Sequence, residues 1–252
     1  LGDVYKRQVI NIITKKGDGY SEENTWRVGA RVQEESMGKE YDFFKDNGLH
    51  NESIDLGFNH KSGLFVNGGY TRNNHGGWQG DLTGREKRWH PKDQALMNGM
   101  FGFQNRNMNV WYRLDFLDEK IFGPNNGSEL QPEKVSDKDF LTKRYTHQLQ
   151  SDWKLDNRLD VHAALSYQDY KRRTRTTESD LSTGEKWLSS AEASQDITQY
   201  KAWIARATVA WNIAPEFSVQ PGVEYQWTQG EGGRIDGTPK VSDLAFFLSA
   251  EY

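Results

Sequence analysis

Two stretches concentrate side chains able to grip a charged ligand. One carries Trp78, Arg85 and Trp89, flanked by His75 and His90; the other carries Lys171, Arg172, Arg173 and Arg175, with Trp187 further on. Guanidinium groups beside aromatic rings suit an anionic, planar ligand, through charge-assisted hydrogen bonds and cation–π contact. A basic rim facing an anionic surface, or a solvated loop, would use the same residues. His75 and His90 could bind metal or haem, but no His or carboxylate spacing around them resembles a site. Asp46, Asn47 and Gly48 hint at an oxygen-rich calcium loop, yet the remaining ligands at EF-hand spacing are missing. No metal and no cofactor is therefore expected.

Catalytic signatures are lacking. The sequence has no G-x-S-x-G, no H-E-x-x-H, no P-loop and no G-x-G-x-x-G ahead of a helix. With no cysteine there is no thiol nucleophile, thiolate metal site or disulfide. A Ser and His pair on the outside of a barrel is compatible with the composition, although nothing nominates it, and the expectation is a protein that is not an enzyme. The balance of 32 basic against 36 acidic residues provides no basic stripe for nucleic acid.

The elements that must position these groups read as strands. Period-2 alternation marks ten segments, at 24–33, 51–59, 64–73, 93–104, 108–118, 144–155, 158–170, 196–213, 217–229 and 243–252. In the fifth, Val110, Tyr112, Leu114 and Phe116 oppose Trp111, Arg113 and Asp115; in the seventh, Leu159, Val161, Ala163 and Leu165 oppose Asp160 and His162. One face is apolar and the other wet, which fits a soluble sandwich as well as a membrane barrel.

Connection lengths separate the two. Residues 60–63, 105–107, 156–157 and 214–216 form tight turns, whereas 34–50, 74–92, 119–143, 171–195 and 230–242 are long, and short alternates with long throughout. Tight turns at one end and long loops at the other are the layout of an outer-membrane barrel. Such strands escape a hydropathy scan, so a mean hydropathy of −0.89 without an apolar run of 18 residues is no objection. Aromatics make up 13% of the chain. Trp26, Tyr70, Trp153, Tyr167, Trp203, Trp211, Tyr225, Trp227 and Tyr252 fall on the apolar face, many near strand ends, where amphipathic rings settle at lipid headgroups. The expected fold is all-β: a partial transmembrane antiparallel β-barrel, an open up-and-down meander of about ten strands.

The segment Val9, Ile10, Asn11, Ile12, Ile13, Thr14, Lys15 resembles the end of the plug domain of TonB-dependent outer-membrane receptors, which reads roughly GGVINIITK ahead of the first barrel strand. The preceding glycines are replaced by DVYKRQ, which resembles a translated transposon end. The expected organisation is thus 1–8 as an adapter-derived artefact, 9–17 as the end of the plug and 24–252 as the N-terminal part of the barrel. Because these receptors have about 22 strands around a plugged lumen, the chain is expected to be a fragment.

The resemblance implies active uptake of a scarce nutrient, a ferric siderophore above all, with cobalamin, haem or a glycan also possible. It implies residence in the Gram-negative outer membrane, contact with its lipid, energy from the TonB complex through an N-terminal segment absent from this chain, and a small-molecule ligand. It would turn Asp55, Arg113, Asp115, Asp152, Asp160, Arg206, Glu224 and Glu251 toward the lumen and the plug, paired with plug residues or one another, since a charge in a crowded lumen is costly unless paired. Ligand contacts would come from loop residues Trp78, Arg85, Trp89, Arg172, Arg173, Arg175 and Trp187. The alternatives are another outer-membrane barrel, porin-like or hydrolytic, and a soluble β-sandwich binding module.

Overall fold

The computed structural model describes residues 23–38, 41–42, 47–233 and 235–252. The expected artefact at 1–8, the expected plug strand at 9–17 and Asp46 of the calcium hint lie outside them. The strands are β1 (Thr25–Glu35), β2 (Leu49–Asn59), β3 (Leu64–His75), β4 (Lys92–Gln104), β5 (Met108–Gly123), β6 (Lys134–Lys154), β7 (Leu159–Asp180), β8 (Lys186–Leu188), β9 (Ile197–Ala214), β10 (Phe217–Glu231) and β11 (Lys240–Glu251). They form one antiparallel sheet in sequence order, with no crossover; the three-residue β8 pairs only with β7, beside the main path. No second sheet packs against it among the described residues, so the sandwich alternative falls.

Local chemistry sets the tight turns. Between β2 and β3, Gly63 adopts φ of 95°. Its carbonyl accepts the Gln104 N–H at 2.8 Å, and a Cβ there would lie 2.0 Å from the Gln104 carbonyl oxygen. Only glycine fits both demands. Between β4 and β5 the Asn105 Oδ1 accepts the N–H groups of Asn107 and Met108, each at 2.8 Å, and between β6 and β7 the Asp156 Oδ1 accepts that of Arg158 at 2.6 Å. These side chains replace the strand ladder where it ends.

Register carries each face across the whole sheet. Trp26 pairs with Phe58, and the row continues through Val66, Phe101, Tyr112, Leu149, Leu165, Ala205 and Tyr225 to Leu244. Rings stack along this face, with centroids 4.4 Å apart for Trp26 and Phe58 and 4.4 Å for Tyr167 and Trp203. His147 interrupts it and is satisfied by the Tyr112 hydroxyl at 2.6 Å. The only large apolar side chains buried among the described residues are Phe65, Met100, Leu117 and Val135; Trp26, Leu56, Phe101, Phe246 and Leu248 are more than half exposed. A face this apolar and this uncovered is a surface made for a nonaqueous neighbour.

The extents of β5, β6 and β7 differ from the sequence expectation. β6 begins at Lys134 rather than 144 and β7 runs to Asp180 rather than 170, which shortens the connection expected at 119–143 to 124–133. Beyond Tyr145 and Tyr167 both faces turn polar, so the apolar period disappears although pairing continues. Thr142, Thr174, Thr176 and Phe140 keep the backbone extended there.

Candidate functional site

The second face of the sheet carries charges in local pairs. Arg113 grips Asp115, two residues on and on the same side, with Nε 2.8 Å from Oδ2 and Nη2 2.7 Å from Oδ1. Arg27 stands 3.7 Å from Asp55 on the neighbouring strand. Arg206 lies 3.8 Å from Glu224, its cross-strand partner, and its guanidinium sits 4.7 Å above the Phe247 ring. Asp152 accepts from Gln150 at 3.0 Å and pairs with His162 at 3.0 Å. Asp160 stands opposite Lys154 beside a tight turn, and Glu251 opposite Ser218. Each pair is partly exposed, so its contribution to stability is at most about 1 kcal/mol; what it fixes is the sign and position of charge along the wall.

A depression of about 520 Å³ gathers part of this wall, bounded on the charged face by Thr71, Asn98, Arg113, Asp115, Arg144 and Gln148. Arg144 was not among the residues singled out from sequence. Its even parity with Gln148 was the available signal, hidden because it stood at the assumed start of a strand.

At the end with long connections, the structure separates the two stretches expected from sequence to contact a ligand. Trp78 and Trp89 face each other in the connection 76–91, exchanging backbone hydrogen bonds of 2.9 and 3.0 Å with their rings 5.4 Å apart and edge-on. Arg85, from the same connection, reaches Asp137 on β6 with both arms, at 3.0 and 2.6 Å, and donates to the Asn125 carbonyl at 2.8 Å. It therefore clamps one long connection onto the next, with its charge already matched.

Arg172, Arg173 and Arg175 stand on β7 rather than in a loop, and strand alternation splits them. Arg172 shares the charged face and stacks on Phe140 at 4.5 Å. Arg173 and Arg175 take the other face, where Arg175 and Lys120 both pair with Asp139, at 2.5 and 3.3 Å. Trp187 lies on β8 opposite Glu178, on the side of Arg172. The three arginines thus do not form one cluster.

Several rim groups are shifted. Arg88 donates to Asp81 and holds its carboxyl below the usual range. Burial lowers His75, with Lys92 adding to the effect against a hydrogen bond to the His90 backbone; His75 Nδ1 accepts the Gly77 N–H at 3.1 Å.

The chain superposes on the ferric yersiniabactin uptake receptor of Yersinia pestis with a TM-score of 0.50 at 11% identity, over 90% of this chain and 38% of that one. It aligns less closely with the ferric citrate transporter FecA, at 0.49 and 10% identity over 89% and 36% of the two chains. For BauA, the ferric preacinetobactin receptor of Acinetobacter baumannii, the values are 0.48 and 8% over 90% and 40%. At such identity the likeness is one of fold: the meander is built like a stretch of the first receptor, a little over a third of its length. No protein-family model and no curated protein matches the sequence.

Proposed function

We propose that this chain forms part of the barrel wall of a TonB-dependent outer-membrane receptor that imports a scarce nutrient, with a ferric siderophore as the leading substrate class. The observation that carries the reading is the sheet itself. Over its mid-strand rows one face is apolar and uncovered across all ten principal strands while the other bears paired charges, with short and long connections alternating at the ends of the sheet. No described helix is long and apolar enough to cross a membrane, and strands of this kind cross without one.

The apolar face meets lipid and the charged face lines the lumen. There Asp55, Arg113, Asp115, Asp160, Arg206 and Glu224 supply the polar wall against which a plug packs. Arg113 and Arg144 border the depression and Arg172 shares that face toward the long connections, and they attract an anionic chelate; Trp78, Trp89 and Trp187 offer ring faces at the rim. Arg85 acts by holding the connections in place.

The test is uptake by the receptor carrying this wall, in iron-limited Gram-negative cells. Arg113→Glu combined with Arg144→Glu should leave the amount in the outer-membrane fraction unchanged and lower uptake of a ferric siderophore. A protein that fractionates with soluble material sinks the membrane reading. An outer-membrane protein whose deletion leaves every ferric siderophore tested imported at the normal rate sinks the iron reading.

A further inference from the structure

We infer that Glu34, His50 and Glu52 form a binding site for a transition-metal dication of the Zn²⁺ class, at the end of the β1–β2 hairpin from which the connection 36–48 leaves. Glu34 and His50 are direct cross-strand partners, and Glu52 lies two residues beyond His50 on the same face. One donor atom from each lies within 4.8 Å of the other two. His50 is fully buried, and its Nδ1 stands 2.5 Å from Glu34 Oε2.

The chemistry of the set favours a metal over a chance cluster. Among the described residues, Glu34 Oε1 and Glu52 Oε2 are buried without a hydrogen-bond donor. Two carboxylates held side by side in a part-buried place are stabilised by a cation between them. One imidazole nitrogen with two carboxylates suits Zn²⁺ and its neighbours, whereas Mg²⁺ and Ca²⁺ prefer oxygen alone. Tetrahedral Zn²⁺ wants donors roughly 3.4 Å apart, so rotations of the two Glu side chains complete the site.

Neighbouring groups already orient the ligands. Arg72 donates to Glu52 Oε1 at 3.2 Å, which turns Oε2 inward. The Tyr41 hydroxyl donates to Glu34 at 3.1 Å while its ring lies 5.8 Å from that of His50. A metal there would pin the edge strand β1 to β2 at the base of the connection, on the apolar side of the sheet and just beyond its apolar rows. The inference depends on this hairpin alone and not on what the protein transports.

The experiment uses the full chain refolded in detergent, stripped with chelator and dialysed against Zn²⁺, with bound metal counted and its surroundings read by X-ray absorption. One Zn²⁺ per chain is expected, with imidazole scattering, little competition from Mg²⁺, and affinity weakened more than about tenfold in Glu34→Gln and in Glu52→Gln. A wild-type chain that binds no Zn²⁺, a bound Zn²⁺ without an imidazole ligand, preference for Mg²⁺, or unchanged binding in both variants would each overturn the site. Should either variant fail to refold, the wild-type stoichiometry and spectrum decide alone.

Discussion

Leu149 and Gln150 adjoin in sequence and face opposite sides of the sheet. Leu149 sits at the middle of the run from Tyr145 to Trp153 on the apolar face, whereas Gln150 donates to Asp152 on the charged face. If the apolar face meets lipid, Leu149→Arg should cost about 2–4 kcal/mol of stability in a bilayer. Gln150→Arg should cost almost nothing, because the new guanidinium remains beside Asp152. Equilibrium refolding into liposomes measures both, and the reverse order would exchange inside and outside. His75 yields a pH prediction of definite sign. Its folded pKa lies below the ordinary value of 6.5, so the unfolded rim takes up the proton first. The stability it contributes is fully present above pH 6.5 and is lost as pH falls through the folded pKa. Protonation also removes the acceptor used by the Gly77 N–H. Hydrogen exchange across 76–91, corrected for intrinsic rates, should therefore quicken between pH 7 and 5, and His75→Gln should flatten that response.

The long connections are held by polar contacts between distant residues rather than by an apolar core. Arg85 and Asp137 are 52 residues apart, joined by two hydrogen bonds, with side chains 33% and 13% exposed. The pair itself is worth about 1 kcal/mol at this exposure, and losing Arg85 costs more because it leaves the largely buried Asp137 unmatched. Arg85→Ala should raise proteolytic cleavage within 76–91 and 124–133 together, because the clamp serves both. Asp137→Ala should do the same, and the double variant should be no worse than either single one. Additive effects would mean that the two residues act separately. The tight turns at the opposite end need no such help, since Gly63, Asn105 and Asp156 complete their own hydrogen bonds.

As a whole, the sheet has two edges, β1 and β11, that pair with nothing beyond them among the described residues. Trp26 and Phe246 on these edge strands are each 77% exposed. Unpaired backbone groups beside an uncovered apolar face template further pairing. Without detergent or lipid the chain should assemble into large species in analytical ultracentrifugation, and detergent should disperse them. A single monomer boundary in plain buffer would count against both the open edges and the lipid-facing assignment.

The sequence by itself determined the strand order, the face of each mid-strand residue and the end of the sheet bearing the long connections. It could do so because the contrast between an apolar and a wet face is written locally, every second residue, and because Asn105 and Asp156 bond within their own turns. The upper parts of β6 and β7 were not legible. Both faces are polar there, and without contrast the period vanishes, so Arg172, Arg173 and Arg175 read as one basic loop although they alternate across a strand. Groups assembled from distant residues were equally hidden. The Arg85 clamp joins two connections, and the set of Glu34, His50 and Glu52 exists only because the hairpin register places residue 34 opposite residue 50. Tertiary pairing decides such sites, since the distance along the chain says nothing about which side chains the ladder will bring face to face.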